Sequence, residues 1–293
     1  MSDKLLTAVV CTLNRLGDLK ECLAELDKEQ EKSKGRLEIL VVDNGSTDGT
    51  LEFLNEWRGF GRCLAEENEK GLSVARNTGL SLTSTKWIAY LDDDAMVHSG
   101  WFEAFEKAVD EIRGLRAGGG RITLRWPDIQ PKWVREEDLP YYSMLELGED
   151  RRELGYDEMP VGANMFFQCE MLKKAGGFQV EFSRIGDGLI SGDESDVIRK
   201  MQAEGLILHY LPKMSIDHVI PPARAEKAWL KRRKIAAGIS QIRMDFKFDK
   251  IQRGNLRRLL FEWKRWFFAF MTADTGNAWI YRGRFTEYLR KWK

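Results

Sequence analysis

From Leu5 to Leu91 short apolar runs alternate with amphipathic patterns of helical period, a rhythm that few architectures accommodate. Leu5–Cys11, Leu37–Val42 and Trp87–Leu91 read as strands, and Arg62–Ala65 as a shorter one. Between them lie helical patterns over Arg15–Glu31, Leu51–Trp57 and Ser73–Leu82; the first carries Leu16, Leu19, Cys22, Leu23 and Leu26 on one face. Strands interleaved with helices make βαβ units, so the expected fold is α/β, a mainly parallel, doubly wound sheet flanked by helices. Ligands of such sheets gather beyond the carboxyl ends of the strands. Three polar clusters fall there: Thr12-Leu13-Asn14-Arg15, the turn Asp43–Thr50, and Asp92-Asp93-Asp94. Topology therefore predicts that they converge on one crevice.

Further along, the pattern loosens. Arg121–Asp157 carries Trp126, Trp133, Tyr141 and Tyr142 without clear periodicity, as functional loops often do. Gly162–Cys169 returns to strand character, and Glu170–Ala175 reads as a helix closed by Gly176-Gly177. Asp193–Gln202 is a further helix, and Leu206–Leu211 the last strand, with Asp217 and His218 beyond it. His209, inside that apolar run, is expected to be a satisfied core residue, and His98 to have no chemical role.

The length of 293 residues allows one main core plus a smaller appendage. Charge divides the chain. Residues 224–293 hold 19 Lys and Arg against six Asp and Glu, whereas residues 1–223 hold 27 against 40. The expected division is a catalytic domain over 1–223 and a basic, aromatic, helical extension over 224–293. Asn255–Met271 sets Leu256, Leu259, Leu260, Trp263, Phe267 and Phe270 on one helical face, beside Arg257, Arg258, Lys264 and Arg265. Such a helix either lies in an anionic membrane surface or packs on the main domain. An acidic body argues against nucleic acid as a partner. No stretch reaches the ~20 apolar residues of a membrane span. The start of the chain lacks the pattern of a signal peptide. Cys11, Cys22, Cys63 and Cys169 are scattered, as in a reduced cytosolic protein. The expected location is cytoplasmic, or peripheral on the inner face of the membrane.

The chemistry concentrates in the acidic clusters. Three successive carboxylates at the end of a buried strand repel one another, and a divalent cation relieves them. Oxygen ligands favour Mg²⁺ or Mn²⁺, ions that bridge readily to a diphosphate. His218 would add a nitrogen and tilt the choice toward Mn²⁺. Arg76, near a helix start, either pairs with phosphate or neutralises the acidic crevice. In Gly192-Asp193-Glu194-Ser195-Asp196 the acids suit a helix N-terminus, and one of them is placed to act as a general base.

Taken in order, these segments resemble the family 2 glycosyltransferases of the GT-A, Rossmann-like fold. The resemblance rests on Thr12–Arg15, Val41–Thr50, Lys70-Gly71 through Arg76-Asn77, the DxD-like Asp92-Asp93-Asp94, Lys173–Phe178 and Gly192–Asp196, spanning about residues 5–220. It implies a donor site drawn from Thr12, Asn14, Arg15, Asp43, Ser46, Arg76, Asp92, Asp93 and Arg224, with Asp43 on the nucleoside. Metal ligation falls to Asp94 and His218 with Asp92. The base is Glu194 by position in the motif, with Asp193 second, since the family more often shows Glu-Asp here.

The implied activity is an inverting, metal-dependent transfer of a sugar from a nucleotide sugar, a UDP-sugar above all, to a hydroxyl of a glycan or lipid-linked acceptor in polysaccharide biosynthesis. A processive synthase would need membrane spans, and a nucleotidyltransferase an early Gly-rich phosphate loop with a following Lys. The remaining alternative is an inactive homologue serving as a sugar-binding or membrane-associated scaffold.

Overall fold

The computed structural model describes residues 4–59, 61–183, 188–248, 254–272 and 274–291, apart from the side chains of Phe182, Leu256 and Thr275. In chain order the elements are β1 (Leu6–Thr12), α1 (Leu16–Lys32), β2 (Leu37–Asp43), α2 (Thr50–Trp57), β3 (Arg62–Glu66), α3 (Leu72–Leu82), β4 (Trp87–Asp92), β5 (Ala95–Val97), α4 (Trp101–Glu111), β6 (Ala117–Arg125), β7 (Arg152–Glu153), β8 (Asn164–Gln168), α5 (Cys169–Lys174), α6 (Asp193–Ala203) and β9 (Leu208–Val219). Three helices close the chain: α7 (Lys227–Lys247), α8 (Leu256–Met271) and α9 (Thr275–Arg290).

One mixed sheet runs in the order β3-β2-β1-β4-β8-β6-β9-β5, with β7 on β9. The strands β3, β2, β1 and β4 are parallel neighbours, and β6 is parallel to β9. The reversed members are β8, between β4 and β6, and the short β5 and β7 on β9. Side-chain alternation along β1 sends Leu6, Ala8 and Val10 to one face, where they meet Leu19, Cys22 and Leu26 of α1 and Phe105 of α4. Val9 points to the other face, into a core with Ala75 of α3, Phe167, Phe178 and Val197 of α6. Both faces are covered, as a largely parallel sheet requires. This is the α/β sheet flanked by helices that the sequence predicts.

Two expectations change. The last strand does not stop at Leu211: β9 runs on to Val219, so Asp217 and His218 lie within it rather than beyond it. Pro212 hides this continuation, because a proline in a strand pattern reads as a stop. The segment before and into the irregular middle holds α4 and β6. Three glycines obscure β6. A Cβ at Gly119 would lie 2.8 Å from the Asn164 carbonyl, and one at Gly118 or Gly120 would strike the carbonyls of His209 and Met214, so the strands come together only without side chains there.

The C-terminal helices form a layered stack. Gly238 of α7 and Gly283 of α9 face each other's helix, and a Cβ at either would meet the Ile280 or Ile235 carbonyl. The first helix, α7, lies against the main body through a Lys234–Asp138 ion pair and the Trp229–Tyr142 ring contact at 4.9 Å. In turn α8 packs on α9. Among the described residues no helix is long and apolar enough to cross a membrane.

Candidate active site

The crevice forms at the carboxyl ends of β1 and β4, where the turns leave the sheet. Its cavity of ≈ 1150 Å³ is lined by Thr12, Leu13, Asn14 and Arg15, by Asn44, by Lys70 and Gly71, by Asp92, Asp93 and Asp94, and by Arg224, Trp229 and Arg232 from the chain's last part. The three polar clusters do converge, although only Asn44 of the Asp43–Thr50 turn reaches the cavity wall. Its amide holds the wall together: Nδ2 donates to the Glu67 and Glu69 carbonyls, while Oδ1 accepts from Gly71 N.

Asp43 is buried, its carboxylate accepting from the Ser46 backbone N–H. The Ser46 hydroxyl in turn accepts from Asn14 N, and Asn14 Oδ1 accepts from Thr47 N at 2.7 Å. Asn14 adopts φ 54°, a left-handed conformation that asparagine tolerates better than most residues. These bonds lock the β1 and β2 turns side by side.

Asp93 and Asp94 are buried, and Asp92 is partly exposed. Arg15 bridges the first two, with Nη1 at 2.9 Å from Asp93 and Nη2 at 2.8 Å from Asp94. Burial pushes Asp93 up to about 7, against the pull of Arg15 and the Thr12 hydroxyl that donates to it. Asp94 goes the other way. Burial alone would raise it, but His218, Arg15 and Arg224 outweigh that and hold the carboxyl well below the usual carboxylate range.

Main-chain register places His218 here. Antiparallel pairing sets Ala95 of β5 opposite His218 of β9, and Val219 N donates to the Asp94 carbonyl at 2.9 Å. Asp92, Asp94 and His218 thereby bring one ligand atom each within 4.8 Å of one another. His218 Nε2 stands 3.2 Å from Asp94 Oδ1, a buried oxygen without a well-aligned hydrogen bond. An imidazole nitrogen and a carboxylate oxygen so close need a proton or a cation between them. Two carboxylates and one imidazole suit Mn²⁺, and Mg²⁺ less well.

On the other side of Asp92, Arg76 is buried, with Nη1 at 2.9 Å from Asp193 and 3.7 Å from Glu194, and Nη2 at 3.7 Å from Asp92. Gly162 makes room for it, since a Cβ there would run into the guanidinium. Of the two sequence readings of Arg76, this geometry matches neutralisation of the acidic crevice. Asp193 also accepts from the Ser73 hydroxyl at 3.0 Å. Burial would raise Asp193, but Arg76 and these hydrogen bonds keep it below its ordinary value. Burial and the neighbouring Asp193 push Glu194 up to about 7, while its side chain keeps 23% exposure. Burial and charge thus drive the two adjacent carboxylates apart, an arrangement that allows an acid and its neighbour to take different roles.

Arg224 lies on the crevice wall with Nη1 3.5 Å from Asp94 Oδ2. Lys70 of the Lys70-Gly71 segment also lines the cavity, as do Trp229 and Arg232, which the sequence reading does not name; the concentration of Arg and Trp just after His218 is the signal for those two. His209 is a core residue, but its Nδ1 has no hydrogen-bond partner among the described residues, unlike the satisfied imidazole expected; burial lowers its pKa. His98 bonds Ser215 and Asp217 at the surface. All four cysteines are free.

The model of the family described as "Glycosyl transferase family 2" matches residues 7–176. Among curated proteins, glycosyltransferase AglE of Haloferax volcanii is 26% identical over 259 residues, 86% of this chain and 77% of the relative. Succinoglycan biosynthesis protein ExoM of Rhizobium meliloti is 25% identical over 236 residues, 78% of this chain and 71% of the relative. Among solved structures, the mannosyltransferase PcManGT from Pyrobaculum calidifontis in complex with GDP-Man and Mn²⁺ superposes with a TM-score of 0.63 at 18% identity, over 98% of this chain and 87% of that one. A fragment of S. aureus TarS in complex with UDP-GlcNAc gives a TM-score of 0.57 at 12% identity, over 97% and 92%. The matched residues run from β1 through α5 and include Asp92, Asp93 and Asp94, and the chain belongs to glycosyl transferase family 2.

Proposed function

We propose that this glycosyltransferase moves a sugar from a UDP-sugar to a hydroxyl of a glycan or lipid-linked acceptor, with inversion at the anomeric carbon. The observation carrying the reading is the Asp92, Asp94 and His218 triad, its ligand atoms within 4.8 Å of one another, with Asp92 and Asp94 lining a crevice large enough for a nucleotide sugar. Solved neighbours of the same fold bind GDP-Man with Mn²⁺ and UDP-GlcNAc, which supports a nucleotide-sugar donor and a divalent ion. A bound Mn²⁺ or Mg²⁺ would supply positive charge against the donor diphosphate.

Thr12, Asn14, Arg15, Asp43, Ser46 and Asp93 build the nucleoside end of the site, most of them by holding the two turns and the acidic floor in place. Arg224 offers a guanidinium from the opposite wall to the diphosphate as its negative charge grows. Glu194 takes the proton of the acceptor hydroxyl. The hydroxyl oxygen then bonds to the anomeric carbon while the bond to the diphosphate oxygen breaks and its electron pair leaves with the diphosphate. Asp193 and Arg76 keep Glu194 in position and set its proton affinity.

The proposed catalytic domain is 1–223, and 224–293 is an extension docked on it through α7, where Lys234 pairs with Asp138 and Lys247 with Asp196.

Thermal unfolding with UDP, GDP, dTDP or CMP, each with and without Mn²⁺, tests the donor. A metal-dependent rise with UDP that disappears in Asp94→Ala supports the reading and directs a screen of UDP-sugars. Preference for another nucleotide changes the donor, and no metal-dependent rise with any of them leaves the inactive scaffold ahead.

A further inference from the structure

We propose that the outward face of α8 is a docking surface for an anionic lipid bilayer. The helix is turned the wrong way for one facing water. Its single acid, Glu262, is fully buried and paired to Arg284 at 2.9 Å and Arg258 at 2.8 Å. Trp263, Phe267, Phe268, Phe270 and Met271 project outward instead, Phe268 at 63% and Phe270 at 67% exposure. A water-facing helix places charge outside and apolar groups inside. Here Glu262 and Arg265 are turned to contacts with α9, and the aromatic groups remain exposed. Contiguous apolar surface of this kind marks a site of association.

Charge selects the occupant. Residues 254–291 contain three acids, of which Glu262 and Glu287 are buried in ion pairs and Asp274 accepts from Asn277. Arg257, Lys264 and Arg282 are exposed around the aromatic face. An apolar strip edged by cations and lacking exposed glutamates complements the headgroups and acyl boundary of anionic lipid. A second copy of this chain fits less well. It would bring two basic faces together, and a helix of 16 residues is ~24 Å long. A strip of that length offers far less than the ~800 Å² per partner of a stable interface. Its length also falls short of the ~30 Å hydrocarbon core, so α8 lies in the interface plane rather than across it. This proposal is independent of the donor chemistry.

Cosedimentation of the full chain with vesicles tests it, using phosphatidylcholine alone and phosphatidylcholine mixed with phosphatidylglycerol. The expected result is binding to the anionic vesicles that exceeds binding to neutral ones by about ten-fold or more and weakens with salt. Phe268→Asp with Phe270→Asp should abolish binding, and Arg257→Glu with Lys264→Glu should erase the lipid preference. Unchanged circular dichroism and unchanged nucleotide-induced stabilisation would verify that both variants fold. Quenching of wild-type tryptophan fluorescence by bromolipid provides a second readout that needs no variant. Full recovery of wild type in the supernatant, wild-type binding by the aromatic variant, or absence of quenching overturns the proposal. So does a concentration-dependent dimer that the aromatic variant dissolves, which would assign the face to a second copy.

Discussion

Arg76 Nη1 lies 2.9 Å from Asp193 Oδ2, and the same guanidinium reaches Asp92 at 3.7 Å through Nη2. One buried cation thus ties the acid expected to serve the metal to the acids of the base motif. Removing it leaves Asp193 buried and uncompensated. Arg76→Ala should cost about 3–5 kcal/mol in urea unfolding, and Arg76→Lys less, because an ammonium keeps a positive charge beside Asp193 although it cannot reach all three carboxylates at once. A variant as stable as wild type would remove Arg76 from this role.

Glu194 pushed up to about 7 has a direct consequence for rate. A general base must be ionised, so kcat should rise with pH through that region and level off above it. Glu194→Gln should lower kcat by ~10²–10⁴-fold while leaving nucleotide-induced stabilisation intact. Its residual rate should lose the rising limb. Asp193→Asn should instead reduce stability together with rate, because Asp193 is held by Arg76 and Ser73. A pH–rate profile of both variants separates the two acids.

Asn77 makes a two-way contact with the Gly-Gly-Phe segment: Oδ1 accepts from Phe178 N at 2.9 Å and Nδ2 donates to its carbonyl at 2.8 Å. Asn77→Ala should cost ~1–3 kcal/mol by leaving those backbone groups unpaired. Chemical denaturation measures this, and a loss under half a kcal/mol would mean that water replaces the amide.

The α7–α9 contact depends on two glycines. Gly238→Val should overpack it by ~1–3 kcal/mol and loosen the C-terminal helices. Limited proteolysis should then cut the chain after residue 224 faster than in wild type, with the nucleotide-side core still protected. Equal cleavage rates would show that the contact tolerates a side chain.

The parallel half of the sheet was readable because each strand is a short aliphatic run bounded by turn residues, as Leu37–Val42 before Asp43-Asn44-Gly45 illustrates. What escaped was structure made by long-range pairing. In β6 three glycines serve a close approach of strands that no local pattern announces, and in β9 a proline sits inside a strand that tertiary ladders sustain. At the site, the residue types and their convergence were legible, while their pairings were not. Arg76 carries no sequence mark telling whether it faces a phosphate or Asp193. The adjacent acids Asp193 and Glu194 differ only through what surrounds them after folding. The exposed aromatic face of α8 was partly visible in its periodicity, but Leu259 turned inward with Glu262, a choice set by Arg284 on the neighbouring helix.

The Ala95–His218 ladder pair implies an unusual pattern of tolerance to insertions. Side chains alternate along a strand, so adding one residue between Ile216 and His218 would turn the imidazole to the opposite face, while adding one between Asp94 and Ala95 would carry Asp94 out of step with β9. Added length in the connections between those two strands would leave the pairing untouched. The chain can therefore diversify in its intervening loops, while two short stretches remain closed to any change of length.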